Sequence, residues 1–342
     1  MLVILTGMNM INMRIYMSAC KQVQPLVNFP GGLPGGLNMA PLFRRDKVVI
    51  VVGATGTGKS RLAIDLATRF HAEIVNSDKM QVYKGLDIVT NKVTEEECCG
   101  VPHHLLGTID PNSNFSAEDF CHQALSVMES ITSHDRLPII AGGSNSYISA
   151  LVNHHAEFRM KYECCFLWVD VSLPVLHSFV SERVDKMVEA GLVEEVRRLF
   201  DPEADYSRGI RRAIGVPELD QYLRFGARAD ERTRDQLLKI AISKIKENTC
   251  MLAWRQLQKI QRLHGQWEWD MHRLDATGVF LNRGREADEA WNRHVAEPSS
   301  NIVRKFLYED CVPNIVSHEV AVATATMIGA PIPMAAVATA CR

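Results

Sequence analysis

The segment Val48-Val-Ile-Val-Val52 followed at once by Gly53-Ala-Thr-Gly-Thr-Gly58-Lys59-Ser60 constrains this chain more than any other feature. Five β-branched residues in a row read as a strand buried on both faces, which implies a parallel sheet covered by helices. The glycines let the loop curl so that successive N–H groups point inward, and the helix that follows adds partial positive charge. Lys59 supplies a full charge, and the Ser60 hydroxyl can ligate Mg²⁺. Gly53, Ala54, Gly56, Thr57, Gly58 and Ser60 therefore form a candidate cradle for a diphosphate, with Thr55 offering a hydroxyl to the same region. The loop alone does not say which diphosphate it holds, and a nucleoside triphosphate is the usual one.

Three further strands are predicted, Glu73 to Asn76, Leu137 to Ala141 and Cys164 to Val169. Helical periodicity covers Arg61 to Phe70, Ser116 to Thr132 and Leu173 to Val188. From Gly191 onward the pattern is amphipathic helix only, as in Val193 to Phe200 and Gln236 to Leu263. The fold class is α/β, a P-loop NTPase-like parallel sheet with flanking helices and a smaller, mostly helical C-terminal part. The expected divisions are a leader over 1–45, the core over 46–190, a helical substrate-binding part over 191–295 and a loose tail over 296–342.

Charge and cysteine usage narrow the classes. Residues 1–45 hold Arg14, Lys21, Arg44 and Arg45 and no acid, a charge of +4 that leaves −6 to the rest of a chain totalling −2. The leader, broken by Pro30, Gly31, Gly32, Pro34, Gly35 and Gly36, resembles an organelle transit peptide, and a leader without a targeting role has the same composition. The nine cysteines include the adjacent pairs Cys98-Cys99 and Cys164-Cys165 and no C-x-x-C, which argues for reduced thiols in an intracellular compartment and against a structural zinc. Val320 to Cys341 is charge-free, but it is rich in Ala and Thr and broken by Gly329, Pro331 and Pro333, so a membrane span is not expected.

Asp78 stands just past the end of the second strand, where ligands collect in a doubly wound sheet. It is a candidate general base or substrate anchor, and equally an acid capping the next turn. The segment Asn76-Ser77-Asp78-Lys79-Met80-Gln81 through Thr90-Asn91-Lys92 resembles the stretch after the P-loop in the dimethylallyl (isopentenyl) transferases that alkylate adenine. Val101-Pro102-His103-His104-Leu105-Leu106-Gly107, Ile140-Ala141-Gly142-Gly143-Ser144-Asn145-Ser146-Tyr147 and Arg211-Arg212-Ala213-Ile214-Gly215 agree in the same order, roughly from Lys47 to Leu263. The tRNA-acting members normally carry a helical insertion after the Gly-Gly-x-x-x-Tyr motif, and eukaryotic ones often a zinc finger. Neither is seen, so the chain is most similar to the plant adenylate isopentenyltransferases of cytokinin biosynthesis, and the −6 of residues 46–342 is poor for a tRNA surface.

What the resemblance implies is prenyl transfer. Dimethylallyl diphosphate would be the donor and AMP, ADP or ATP the acceptor, with Mg²⁺ as cofactor, neither tRNA nor membrane as partner, and the plastid as location. It makes Asp78 the base for the adenine amine and places Lys59, Thr55 and Arg212 at the diphosphate. Thr90, Asn91, Lys92, Ser144, Asn145 and Tyr147 are implied as nucleotide contacts. Without it, Arg208, Arg211 and Arg212 read as a solvated patch, and the helix bearing Lys244, Lys246, Arg255, Gln256 and Lys259 as either an exposed basic face or a phosphate contact. His103-His104 has no third ligand in view and reads as structural. The alternatives are tRNA as acceptor, a P-loop small-molecule kinase using Asp170 as its Mg²⁺-linked acid, and a nucleotide-binding regulator without catalysis. Oligomeric state is not legible.

Overall fold

Every residue of Val48–Val52 is fully buried, so this run can only be an interior strand, and the rest of the sheet is arranged around it. The computed structural model describes residues 45–266 and 269–309. The leader up to residue 44 and the stretch Val320 to Cys341 lie outside the described residues. The strands are β1 (Asp46–Val52), β2 (Ala72–Asn76), β3 (His103–His104), β4 (Leu137–Ala141), β5 (Tyr162–Asp170) and β6 (Met271–Asp275). They form one sheet in the order β3-β2-β4-β1-β5-β6, with every pairing parallel. Ile50 stands beside Ile140 on one side and Phe166 on the other, so β1 is central and its carboxyl end opens between β4 and β5.

Alternation on β1 feeds two apolar layers. Val49 and Val51 pack with Leu62, Ala63 and Leu66 of α1 (Lys59–Phe70), while Val48, Ile50 and Val52 share a cluster with Phe120, Ala124 and Met128 of α2 (Ala117–Ser133). Each such fully buried side chain contributes about 1.5–3 kcal/mol. Helix α2 begins at a capping box, in which Ser116 Oγ accepts from Asp119 N at 3.1 Å and Ser116 N donates to Asp119 Oδ2 at 2.9 Å. After β4 come the short helices α3 (Asn145–Ser149) and α4 (Ala156–Lys161), and after β5 come α5 (Leu173–Glu189) and α6 (Leu192–Leu199). Two 3₁₀ turns, Gly209–Arg212 and Pro217–Leu219, lead through α7 (Asp220–Phe225) into α8 (Glu231–Gln266). One face of α8, from Ala241 through Ile245, Thr249, Ala253 and Leu257 to Ile260, is buried, and the helix runs against α5.

Two expectations need correction. Strands do not end before Gly191: β6 adds to β5, with Leu274 beside Val169 and Asp275 beside Asp170. Only Met271 and Leu274 of its five residues are buried, so this edge strand lacks the apolar run that marks β1. Nor does a loose tail begin at 296. After α9 (Thr277–Leu281) and α10 (Gly284–Trp291), helix α11 (Glu297–Tyr308) buries Val303 and sets Ile302 and Phe306 against the α1 side of the sheet. Lys47 at the start of β1 donates to the Phe306 carbonyl.

Trp291, at the end of α10, is 2% exposed, and its Nε1 donates to Asp65 Oδ2 of α1 at 2.7 Å. Replacing Trp291 by Ala is expected to destabilise the fold by about 3–5 kcal/mol, read as a lower urea midpoint at unchanged slope.

Candidate active site

A cavity of about 640 Å³ lies over the carboxyl ends of β1, β2 and β4, walled by the loops that leave them and by α5 and α8. Its floor is the loop Gly53–Ser60. A Cβ on Gly53 would stand 2.6 Å from both the Val169 carbonyl and Thr57 Oγ1, so the loop can seat on β5 only without a side chain there. Gly58 has φ 94°, and Trp291 closes on its outer face, where a Cβ would meet the ring at 2.8 Å. Thr57 is buried and donates to Ala54 O at 3.0 Å, bracing the curl from inside.

Lys59 is enclosed. Its Nζ donates to Ala54 O at 2.7 Å, and burial pushes its pKa down to about 8, opposed by the Asp78 carboxylate and reinforced by the Arg183 guanidinium. Arg183, from α5, donates from Nη2 to Thr55 Oγ1 at 3.1 Å, while its buried Nε has no partner. Burial works against the charge on Arg183 as well, and Asp78 supports it. Two cations thus sit in the same wall with one carboxylate to offset them, an arrangement that favours a polyanion.

Asp78 caps its turn with one carboxylate oxygen and turns the other toward the β4 loop. Its Oδ1 accepts the N–H groups of Met80 at 2.9 Å and Gln81 at 3.3 Å, capping the turn, and Oδ2 lies toward Gly143, 3.1 Å from where a Cβ there would stand. A Cβ on Gly142 would be 2.4 Å from the Ser77 carbonyl carbon, so the Gly142-Gly143 pair lets the β4 loop press against the Asp78 backbone. Ser144 Oγ then accepts from Lys79 N at 2.8 Å.

Of the residues singled out above, Thr55, Gly56, Gly58, Lys59, Ser60, Asp78, Thr90, Asn91, Ser144, Asn145 and Arg212 line this one cavity. Arg212 is set by the turn Gly209–Arg212, where its Nε donates to Gly209 O at 3.3 Å. Gly53, Ala54 and Thr57 lie beneath the lining as framework. Two residues are placed elsewhere. Lys92 donates to Gly85 O at 2.5 Å and to Asp87 Oδ1 at 2.8 Å, closing its own loop. Tyr147 is buried, donates from its hydroxyl to Phe115 O at 2.9 Å and stacks on Phe120 at 4.8 Å. It reaches the cavity only through Lys79, whose ammonium lies 5.2 Å over the ring.

Arg183 was not anticipated, yet its position is readable: Leu176, Val180 and Val184 form the buried stripe of α5, and residue 183 falls on it at helical spacing. Of the basic helix, Arg255, Gln256 and Lys259 line the cavity and Lys246 pairs with Asp185 at 2.6 Å. Burial, followed by the charges of Lys259 and Arg212, lowers the Lys79 pKa. His103 holds Val101 O at 2.8 Å and His104 holds Glu73 at 2.6 Å, both structural.

Asp170, the acid a kinase would use, is 8% exposed and gripped by Arg273, Nε at 2.8 Å and Nη2 at 2.6 Å from Oδ2. Among the described residues no group of three or more His, Cys, Asp or Glu could hold a metal. Ser60 lines the cavity directly after Lys59 and offers a hydroxyl that fits a hard cation such as Mg²⁺, an ion that keeps water and substrate oxygens as most of its ligands. Among the described residues no helix is long and apolar enough to cross a membrane.

Residues 81–161 and 153–262 match the family described as IPP transferase. The chain is 68% identical over 305 residues to adenylate isopentenyltransferase 5, chloroplastic, of Arabidopsis thaliana, covering 87% of this chain and 91% of that protein. It is 57% identical over 297 residues to adenylate isopentenyltransferase 7, mitochondrial, of the same plant, covering 86% and 90%. A eukaryotic dimethylallyltransferase acting on tRNA shares the fold, with a TM-score of 0.67 at 24% identity over 77% of this chain and 80% of that one.

Two outcomes test the geometry. Free Lys59 loses its proton as pH rises through about 8, so affinity for inorganic diphosphate should be flat below that pH. Above it, affinity should fall by up to ~10-fold per pH unit relative to Lys59→Arg, as measured by calorimetry between pH 7 and 9. Tyr147→Phe should cost about 1–2 kcal/mol of stability in a denaturant titration and leave kcat/KM within about twofold.

Proposed function

The chain belongs to the IPP transferase family, among its adenylate isopentenyltransferases, and on that premise we propose that the cavity moves a dimethylallyl group from dimethylallyl diphosphate to the exocyclic amine of AMP, ADP or ATP. Diphosphate leaves, and the product is a cytokinin precursor. The observation that carries this assignment of roles is the pairing, in one cavity, of the Lys59–Arg183 anion wall with the Asp78 carboxylate.

The adenine amine is a weak nucleophile because its lone pair is delocalised into the ring, so it needs a base. Asp78 takes that proton, its geometry fixed by the two backbone N–H groups on Oδ1. As the allylic C–O bond opens, negative charge grows on the diphosphate. It is met by Lys59, Arg183, Arg212, the Thr55 hydroxyl and the loop amides, fixed charges and dipoles that need no reorganisation. Mg²⁺ would be held by the Ser60 hydroxyl together with substrate oxygens, and would supply further neutralising charge. Thr90, Asn91, Ser144 and Asn145 line the cavity and are the residues proposed to contact the nucleotide, a role supported by the buried, unpartnered Asn145 Oδ1, an acceptor available to a ligand donor. Lys92 and Tyr147 act behind this surface, Lys92 by closing the loop that bears Thr90 and Asn91 and Tyr147 by backing Lys79.

A free nucleotide, in preference to tRNA, is supported by the relatives' names and by the −6 charge of residues 46–342. A plastid location is supported by the acid-free leader and by the relative named chloroplastic. Asp78→Asn, which keeps an acceptor for the turn, should lower kcat by about 10²–10⁴ with the donor KM within about threefold, measured by mass spectrometry of the prenylated nucleotide. A large rise in donor KM instead would make Asp78 a binding residue.

A further inference from the structure

One side-chain amide joins the two halves of this cavity. Gln256 of α8 accepts the Thr55 N–H of the phosphate loop on Oε1 at 2.7 Å, and its Nε2 donates to the Gly143 carbonyl at 2.8 Å. Its own main-chain carbonyl accepts from Asn145 Nδ2 at 3.3 Å. Gly143 is sandwiched between Gln256 and the base: a Cβ there would lie 2.6 Å from Gln256 Nε2 and 3.1 Å from Asp78 Oδ2. A rigid planar group therefore runs from the anion cradle to the backbone that touches the Asp78 carboxylate. It does so by occupying a phosphate-loop N–H that would otherwise be a donor for the anion.

We propose that Gln256 is a positioning residue that fixes the separation between cradle and Asp78, and thereby decides whether the allylic carbon is captured by the adenine nitrogen or by water. The proposal rests on the prenyl-transfer reading. In transfer, the bond from C1 to the diphosphate oxygen breaks and its electron pair leaves with diphosphate, the amine nitrogen bonds to C1, and the amine proton passes to Asp78. In the competing reaction a water oxygen bonds to C1, its proton passes to solvent, and diphosphate leaves in the same way, giving the allylic alcohol. Both routes use the cradle equally. Only the first needs an acceptor aligned between cradle and base, and misplacing a reactant by about 1 Å costs ~10²-fold in such a step. Water is small, abundant and free to reorient, so a widened gap favours it.

The readout is the ratio of dimethylallyl alcohol to prenylated nucleotide formed from dimethylallyl diphosphate, Mg²⁺ and AMP, ADP or ATP. This ratio does not depend on how much of the protein is folded. Gln256→Ala should raise it at least about tenfold. Gln256→Glu should raise it too, because it fills the same space and still accepts from Thr55 N–H but cannot donate to Gly143 O. An unchanged ratio in both variants overturns the proposal even if the rate falls. A rise with Ala but not with Glu also overturns it, since that marks a space-filling role, and so does loss of both products in both variants, because donor cleavage should survive. Failure of the unaltered protein to prenylate any of the three nucleotides is a separate result, one that overturns the prenyl-transfer reading itself.

Discussion

The site depends on the burial of two cations, Lys59 and Arg183, near a single carboxylate. Taking an ammonium or guanidinium out of water without a matched partner disfavours its charge, and the lowered Lys59 pKa is the signature of that penalty. The surrounding architecture reads as what is needed to hold such a pair in place. Interior strand β1 delivers the loop, Val169 O and Thr57 pin its first glycine, and α5 presents Arg183 from a stripe of buried valines. An anion placed between these cations offsets the charge that burial disfavours.

The Asp170–Arg273 pair engages the acid that a kinase reading of this phosphate loop would need. In phosphoryl-transferring P-loop proteins an acid at the end of a neighbouring strand helps hold the metal. In this chain that acid is turned to β6 and tied to a guanidinium lying 5.5 Å over the Trp168 ring. The metal-linked acid that the kinase reading assigned to Asp170 is therefore already engaged, and Asp78 is the carboxylate left facing the cavity.

Much of this was legible in residue order. Short runs rich in β-branched and other apolar residues marked the four inner strands, and Gly-Lys-Ser in strand-loop-helix context located the cradle. What escaped was set by tertiary partners. Strand β6 has only two buried residues, so its pattern is that of a loop until β5 is beside it. Lys92 and Tyr147 carry side chains suited to a ligand, but the carbonyls of Gly85 and Phe115 claim their donors, and no spacing rule names those carbonyls. Gln256 belongs to a helix that reads as either an exposed basic face or a phosphate contact, and only the fold brings Thr55 and Gly143 to either end of its amide.

Trp291 seats against Gly58 although 233 positions separate them, so it is synthesised long after the loop it backs. A chain emerging from the ribosome presents its glycine loop well before the ring that backs it has been translated. The early part of the sheet can collapse before then, but the cradle acquires its outer wall only when α10 docks. A chain halted before that tryptophan would carry a loop of the right composition without the ring that backs it.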